Sequence, residues 1–216
     1  MEIEKPEEKK AATIDYIAAA IIGIATILGA ASAYYSALWG GNMQSNYNSA
    51  ITLLNDANTM YLESLSEYNK ADFDDFQDDY FYVQWKDAES KGEVEDAEYF
   101  KERMTPEYAN LLIADDYDAA WEEYSNAYDE KITGLDEYMD SSFVMMDTSK
   151  LKVEEGDKAN TWGDKFTLVT VLFTIVLFFA GMATVTKGNK LKLIYVAAAA
   201  IMFVYSAISM FTIPFP

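Results

Sequence analysis

The chain alternates between two kinds of pattern. Three runs carry no charged residue at all, and the long segment between the first and second is polar with apolar residues at helical spacing. The uncharged runs are Tyr16 to Trp39, Phe166 to Val185 and Leu193 to Pro216, of 24, 20 and 24 residues. About 20 apolar residues at 1.5 Å rise cross the roughly 30 Å hydrocarbon layer of a bilayer, and only a helix satisfies its own backbone there. The pattern therefore predicts an all-α integral membrane protein with three transmembrane helices at 16–39, 166–186 and 193–213. A secretory signal is the competing reading of the first run, since Lys9 and Lys10 precede it and Ala31-Ser32-Ala33 resembles a cleavage site. The uncharged stretch continues past that point through Tyr34, Tyr35, Leu38 and Trp39, which favours an uncleaved span.

The middle segment, 40–165, reads as helical. Tyr47, Ile51, Leu54, Tyr61, Leu65 and Tyr68 recur at threes and fours, as on the face of a bundle or coiled coil. Phe73, Phe76, Tyr80 and Val83 suggest a second helix, broken at Lys91-Gly92 and resumed from Val94 to Met104. Thr105-Pro106-Glu107 has the composition of a helix start: an N-cap hydroxyl, proline at the first helical position and an acid at the positive end of the dipole. That helix is expected to pass through Tyr108, Leu112, Trp121, Tyr124 and Tyr128 and to stop near Gly134. A shorter piece is expected at Leu135 to Met146. Gly40-Gly41 and Gly163 would be the joints to the membrane, with Gly156 a further interruption of the returning chain.

Flanking charge sets the orientation. Lys5, Lys9 and Lys10 precede the first span, and Lys187, Lys190 and Lys192 lie in the loop 187–192 between the second and third. Three spans put both segments on one side, which the positive-inside rule makes cytoplasmic. Residues 1–15 are then cytoplasmic, while 40–165 and the end, 214–216, are extracytoplasmic, at the cell membrane. Aromatic residues at Tyr16, Tyr34, Tyr35, Trp39, Trp162 and Tyr195 fall near the predicted boundaries.

Composition narrows the chemistry. The 216 residues include no His and no Cys, which removes the imidazole base, the thiolate nucleophile and the common zinc ligands. A formal charge of −20 speaks against nucleic acid. Residues 40–165 hold 31 acids and 10 bases, yet eleven tyrosines among them supply apolar material that a disordered acidic tail lacks. Apart from Asp15, at the extreme inner end of the first, the spans hold no Asp, Glu, Lys, Arg or His, so proton relays and ion-coupled transport are disfavoured. Thr167, Thr170 and Thr174, or Ser206 and Ser209, leave open a hydroxyl-lined pore.

Two sets of residues stand out. Ala25, Gly29, Ala33 and Ala37 recur every four residues and predict a helix-packing seam, within the protein or with another subunit. Asp72, Asp74, Asp75, Asp78 and Asp79 crowd one short stretch, where like charges four apart repel and a hard cation such as Ca2+ would relieve them. The stretch lacks the loop spacing and glycine of an EF-hand, and a solvated acidic face explains it more simply. Carboxylate pairs such as Glu122/Glu123 are adjacent on a helix and do not face each other, so no catalytic residue is assigned.

The segment Thr170 to Met182, with Ala37-Leu38-Trp39-Gly40-Gly41, Tyr47 and Ala57-Asn58, resembles a group of small, uncharacterised prokaryotic three-span membrane proteins with a polar helical insert between spans one and two. The resemblance implies the same topology and a prokaryotic source, and no activity. The sequence thus leads to a non-enzymatic membrane protein in contact with lipid, whose outward helical domain mediates assembly, as a homo-oligomer or as an accessory subunit of other membrane proteins. The alternative is a cation-responsive channel or sensor that uses the acidic domain.

Overall fold

A computed structural model describes residues 6–216, with side chains described from Ala12 onward. Glu2, Glu4 and Lys5 lie outside the described residues, as do the side chains of Lys9 and Lys10. The described chain is all-helical, without strands. Its elements are α1 (Pro6–Lys91), α2 (Val94–Lys101), α3 (Pro106–Leu111), α4 (Tyr117–Val185) and α5 (Asn189–Phe211). Three of them, α1, α4 and α5, are long and apolar enough to cross a membrane. The chain divides into two compact units, one ending at Ala50 and resuming over Leu151–Pro216, the other Ile51–Lys150.

In the first unit α1 and α4 run antiparallel and α5 packs on both. Ala25, Phe166, Val169, Phe173, Val176, Ala180, Ala199, Met210 and Ile213 form the main apolar cluster. Ala18, Ala183 and Val196 form a second one nearer the start of α1. The larger apolar side chains Ile24, Ile27, Phe178, Ile201 and Phe211 are exposed on the outside, which suits a lipid surround and would be costly in water.

The ends of this unit are polar and specific. At one end Lys192, only 7% exposed, pairs with Asp15 at 2.5 Å. A buried ammonium needs such a partner. Lys192 therefore belongs to α5 rather than to a free loop, and only Thr186–Gly188 are non-helical there. At the other end Trp39 and Trp162 meet with ring centroids 4.5 Å apart, and the Trp39 indole donates to the Pro214 carbonyl at 3.1 Å. The Ser36 hydroxyl donates to the Gly163 carbonyl at 2.9 Å.

Two residues of the expected seam, Ala25 and Gly29, pack within the first unit. Ala25 is fully buried and Gly29 faces Phe173, whose Cβ would lie 3.3 Å from an added methyl carbon. Ala33 and Ala37 are exposed. At 100° per residue a four-residue step drifts about 40° around the helix, whereas a seven-residue step drifts about 20° the other way. The buried small residues follow the seven-residue step: Ala18, Ala25 and Ser32.

The glycine joints are absent. The α1 helix continues through Gly40 and Gly41, and α4 through Gly134, Gly156 and Gly163. A helical glycine costs roughly 0.5–1 kcal/mol relative to Ala, too little to end a helix whose ladder and packing continue. Gly163 has a positive packing role, since a methyl there would lie 3.5 Å from the Ser36 carbonyl oxygen and Trp39 Cβ. Glycine does end a helix at Gly92, whose φ of 74° closes α1 and which only glycine adopts without strain.

In the second unit α1 and α4 again run antiparallel. Ala57, Ser64, Ala71 and Asp78 on α1 are buried at every seventh position, as are Ser142 and Ser149 on α4. Small side chains let the two backbones approach closely. The row Ile51, Leu54 and Leu65 is exposed and is not the inner face. Tyrosines instead bridge the helices from the flanks: Tyr138 donates to Glu63 at 3.0 Å, and Tyr68 donates to Asp136. The large apolar cluster lies at the far end, where Met104, Tyr108 and Leu111 pack against Phe81, Tyr82, Trp85 and Tyr124.

The α3 helix starts at Thr105, as its sequence predicts, but stops at Leu111. Asp116 then restarts the chain as α4, its side chain accepting from the Ala119 amide at 3.1 Å. One long helix from Thr105 to Gly134, followed by a short piece at 135–146, is therefore replaced by a brief α3 and an unbroken α4.

Candidate functional site

The aspartate-rich stretch is part of α1, where residues 71, 74, 75 and 78 share one face. In the second unit this face, the start of α3 and one side of α4 enclose a cleft of about 390 Å³. From α1 come Lys70, Ala71, Asp74, Asp75 and Asp78; from the α3 start, Thr105, Pro106 and Glu107; from α4, Tyr124, Ala127, Tyr128 and Lys131. Asp72 and Asp79 are exposed and lie outside it. The structure thus gathers three of the five aspartates, of which Asp75 stays exposed, and leaves two outside the cleft.

Asp78 holds the cleft together. It is 1% exposed, and its two carboxylate oxygens accept from the Thr105 backbone N–H and from the Thr105 hydroxyl, each at 2.6 Å. The same hydroxyl oxygen accepts from the Tyr108 amide at 3.3 Å and caps α3. Burial pushes the Asp78 carboxyl above the ordinary carboxylate range, the two Thr105 bonds oppose the shift, and the charges of Asp74 and Asp75 add to it. Next to it, Gln77 donates to the Arg103 carbonyl at 2.7 Å and fixes the turn before Thr105.

The tyrosines of the cleft feel the same field. Burial first, then the charges of Asp78 and Asp75, push Tyr124 up to about 12. Tyr128 is also raised, by burial and then by Asp75 and Asp72. Lys70 and Lys131 line the cleft without forming an ion pair among the described residues.

No group of three or more carboxylates among the described residues converges closely enough to hold a metal ion. The calcium expectation on Asp72, Asp74, Asp75, Asp78 and Asp79 therefore gains no coordination geometry, and Asp78 is already committed to Thr105. In the sequence the cap at Thr105 and the aspartates of α1 are separate features. The seven-residue series Ala57, Ser64, Ala71 and Asp78 is the one sequence signal that turns Asp78 inward, and it does not point to Thr105.

A second, shallower depression of about 280 Å³ lies in the first unit against Trp39 and Trp162, lined also by Asn42, Asn46, Glu155 and Lys158. Of the candidate pore hydroxyls of α4, Thr170 donates to the Phe166 carbonyl and Thr174 to the Thr170 carbonyl, each at 3.0 Å, while Thr167 donates to the Gly163 carbonyl at 3.1 Å and also pairs with the Ser36 hydroxyl of α1 at 2.8 Å.

Fold and site define an all-helical chain with three helices able to cross a membrane, consistent with a multi-pass membrane protein. Comparison with known proteins returns no matching family model, no similar curated protein and no similar solved structure.

Proposed function

We propose that this is a non-enzymatic, multi-pass protein of the cell membrane whose helical segment 40–165 faces outward and mediates assembly. The observation that carries the reading is an apolar stripe on α1. Ile51 and Leu54, Leu62 and Leu65, and Phe73 and Phe76 are exposed pairs that recur every eleven residues, with Phe76 at 71%. Eleven residues make almost three whole turns, so the pairs stay on one side of the helix. That side is roughly opposite the buried line of Ala57, Ser64 and Ala71. Exposed apolar pairs repeated along one side of a helix, with Asn58 and Asn69 between them, suit an interaction site.

Charge bears on the partner. Asp72 and Asp79, both exposed, lie beside the stripe at its Phe73–Phe76 end. A second copy would bring its own acids against these, whereas an accessory partner with a basic-flanked helix would neutralise them. The lysines around the spans support the outward orientation, and the resemblance to prokaryotic three-span proteins supports a cell-membrane setting. The absence of His and Cys from the sequence supports a role without catalysis.

The test is the mass of the complex extracted from native membranes in mild detergent. The expected result is a species larger than the 24.3 kDa protomer, reduced to the protomer by Leu62→Gln with Phe76→Gln while helicity is retained. A protomer in both cases, or a complex indifferent to these two positions, overturns the proposal.

A further inference from the structure

We infer that the cleft between α1, the α3 start and α4 binds a small organic ammonium ion. The inference stands on the cavity and its walls, apart from the assembly reading. Its volume of about 390 Å³ lies within the usual range for small-molecule sites of roughly 300–1,000 Å³. Four acids line the walls beside Tyr124 and Tyr128: Asp78, whose two oxygens are bonded to Thr105, and Asp74, Asp75 and Glu107, whose carboxylates are left to meet a ligand. Aromatic faces beside carboxylates attract a diffuse cation that carries hydrocarbon, through the ring quadrupole as well as charge.

The same walls exclude other ligand classes. An anion would meet four acids against the two bases Lys70 and Lys131. A calcium ion needs six to eight oxygens on one point at about 2.3–2.6 Å, and among the described residues no group of acids converges to hold a metal ion. An ammonium group makes a few separate hydrogen bonds to oxygens spread along a wall, and its hydrocarbon covers Ala71, Ala127 and the tyrosine rings. The source is either a free amine or the lysine side chain of a peptide, which present the same chemistry.

The experiment is calorimetric titration of the full-length protein in detergent at low salt with cyclohexylammonium, with cyclohexanol as its neutral isostere, with the tripeptide acetyl-Gly-Lys-Gly-amide, and with calcium chloride. Saturable binding of cyclohexylammonium and none of cyclohexanol is expected. Asp75→Asn should weaken it by about tenfold and Tyr128→Leu by about threefold, while Lys131→Ala should strengthen it, because a competing charge is removed. Binding of the tripeptide at least as tight as that of the amine assigns the source to a peptide; weaker binding assigns it to a free amine. The inference is overturned by no saturable heat with either ammonium probe, by equal binding of cyclohexanol, or by calcium binding alone. Asp75 and Lys131 are exposed, so both variants retain the fold and their opposite signs remain readable.

Discussion

Gly156 of α4 lies against the ring of Tyr47 of α1, so close that an added methyl carbon would stand 2.5 Å from Tyr47 Cε1 and 2.7 Å from Cδ1. The same tyrosine donates from its hydroxyl to Asp157 at 2.5 Å, which fixes the ring where the methyl would go. Gly156→Ala is therefore expected to lower the thermal stability of the protein in detergent, by about 1–3 kcal/mol. Tyr47→Ala in the same chain should restore most of the loss. A Gly156→Ala protein that melts with the wild type would show that the two helices are further apart than described.

Gly134 is the opposite case. A methyl added there meets nothing within 4 Å, and the residue sits in mid-helix. Gly134→Ala should stabilise by about 0.5–1 kcal/mol through backbone entropy alone. The sign of this change, read by chemical denaturation of the full chain, separates an unbroken α4 from a helix that stops at Gly134, where alanine would be strained.

Thr105 serves two partners, the α3 amide of Tyr108 and the buried carboxylate of Asp78. Thr105→Ala removes the cap and one of the two bonds to Asp78, at a cost of about 1–3 kcal/mol near neutral pH. The loss should shrink on acidification. Without the hydroxyl the folded-state pKa of Asp78 rises further above the unfolded value, so the variant gains stability relative to wild type as pH falls through that raised pKa. Denaturation curves of both proteins at neutral and mildly acidic pH check the convergence.

Tyr68, Tyr108 and Tyr124 are each pushed up to about 12, Tyr68 chiefly by its bond to Asp136 and the other two chiefly by burial. In the unfolded chain these groups ionise near 10. Their contribution to stability is thus complete below about pH 10 and lost as pH rises through the folded values near 12. Tyrosinate absorbance should show a late-titrating class, and helicity should fall in the same pH window. Ionisation of all tyrosines near 10 with helicity intact would contradict the arrangement.

Much of this architecture is legible in the sequence because it rests on long-range averages or on local backbone chemistry. Three uncharged runs reveal the helices apolar enough to cross a membrane, and the strand-free pattern reveals the class. Gly92 and Thr105 show their roles because a left-handed residue and an N-cap are determined by immediate neighbours. The continuity of α1 and α4 is less legible, because Gly40, Gly134 and Gly163 carry the same local signal as Gly92 and are overruled by the partner helix. The inner face is misread for a related reason. Large residues such as Ile51 and Leu65 draw the eye to a core, while the helices meet on Ala57, Ser64 and Ala71, whose smallness is the signal. The cleft depends on Thr105 meeting Asp78 across 27 residues, which no single window contains.

The proposed topology puts the uncharged helices in lipid, segment 40–165 outside the cell and the 187–192 region inside. The chain has no cysteine, so single cysteines can report it without background. Asn126→Cys and Asn189→Cys are exposed positions in the two regions. With a membrane-impermeant maleimide on intact cells, Asn126→Cys should be labelled and Asn189→Cys only after permeabilisation. Labelling of Asn189→Cys and protection of Asn126→Cys in intact cells would contradict the account.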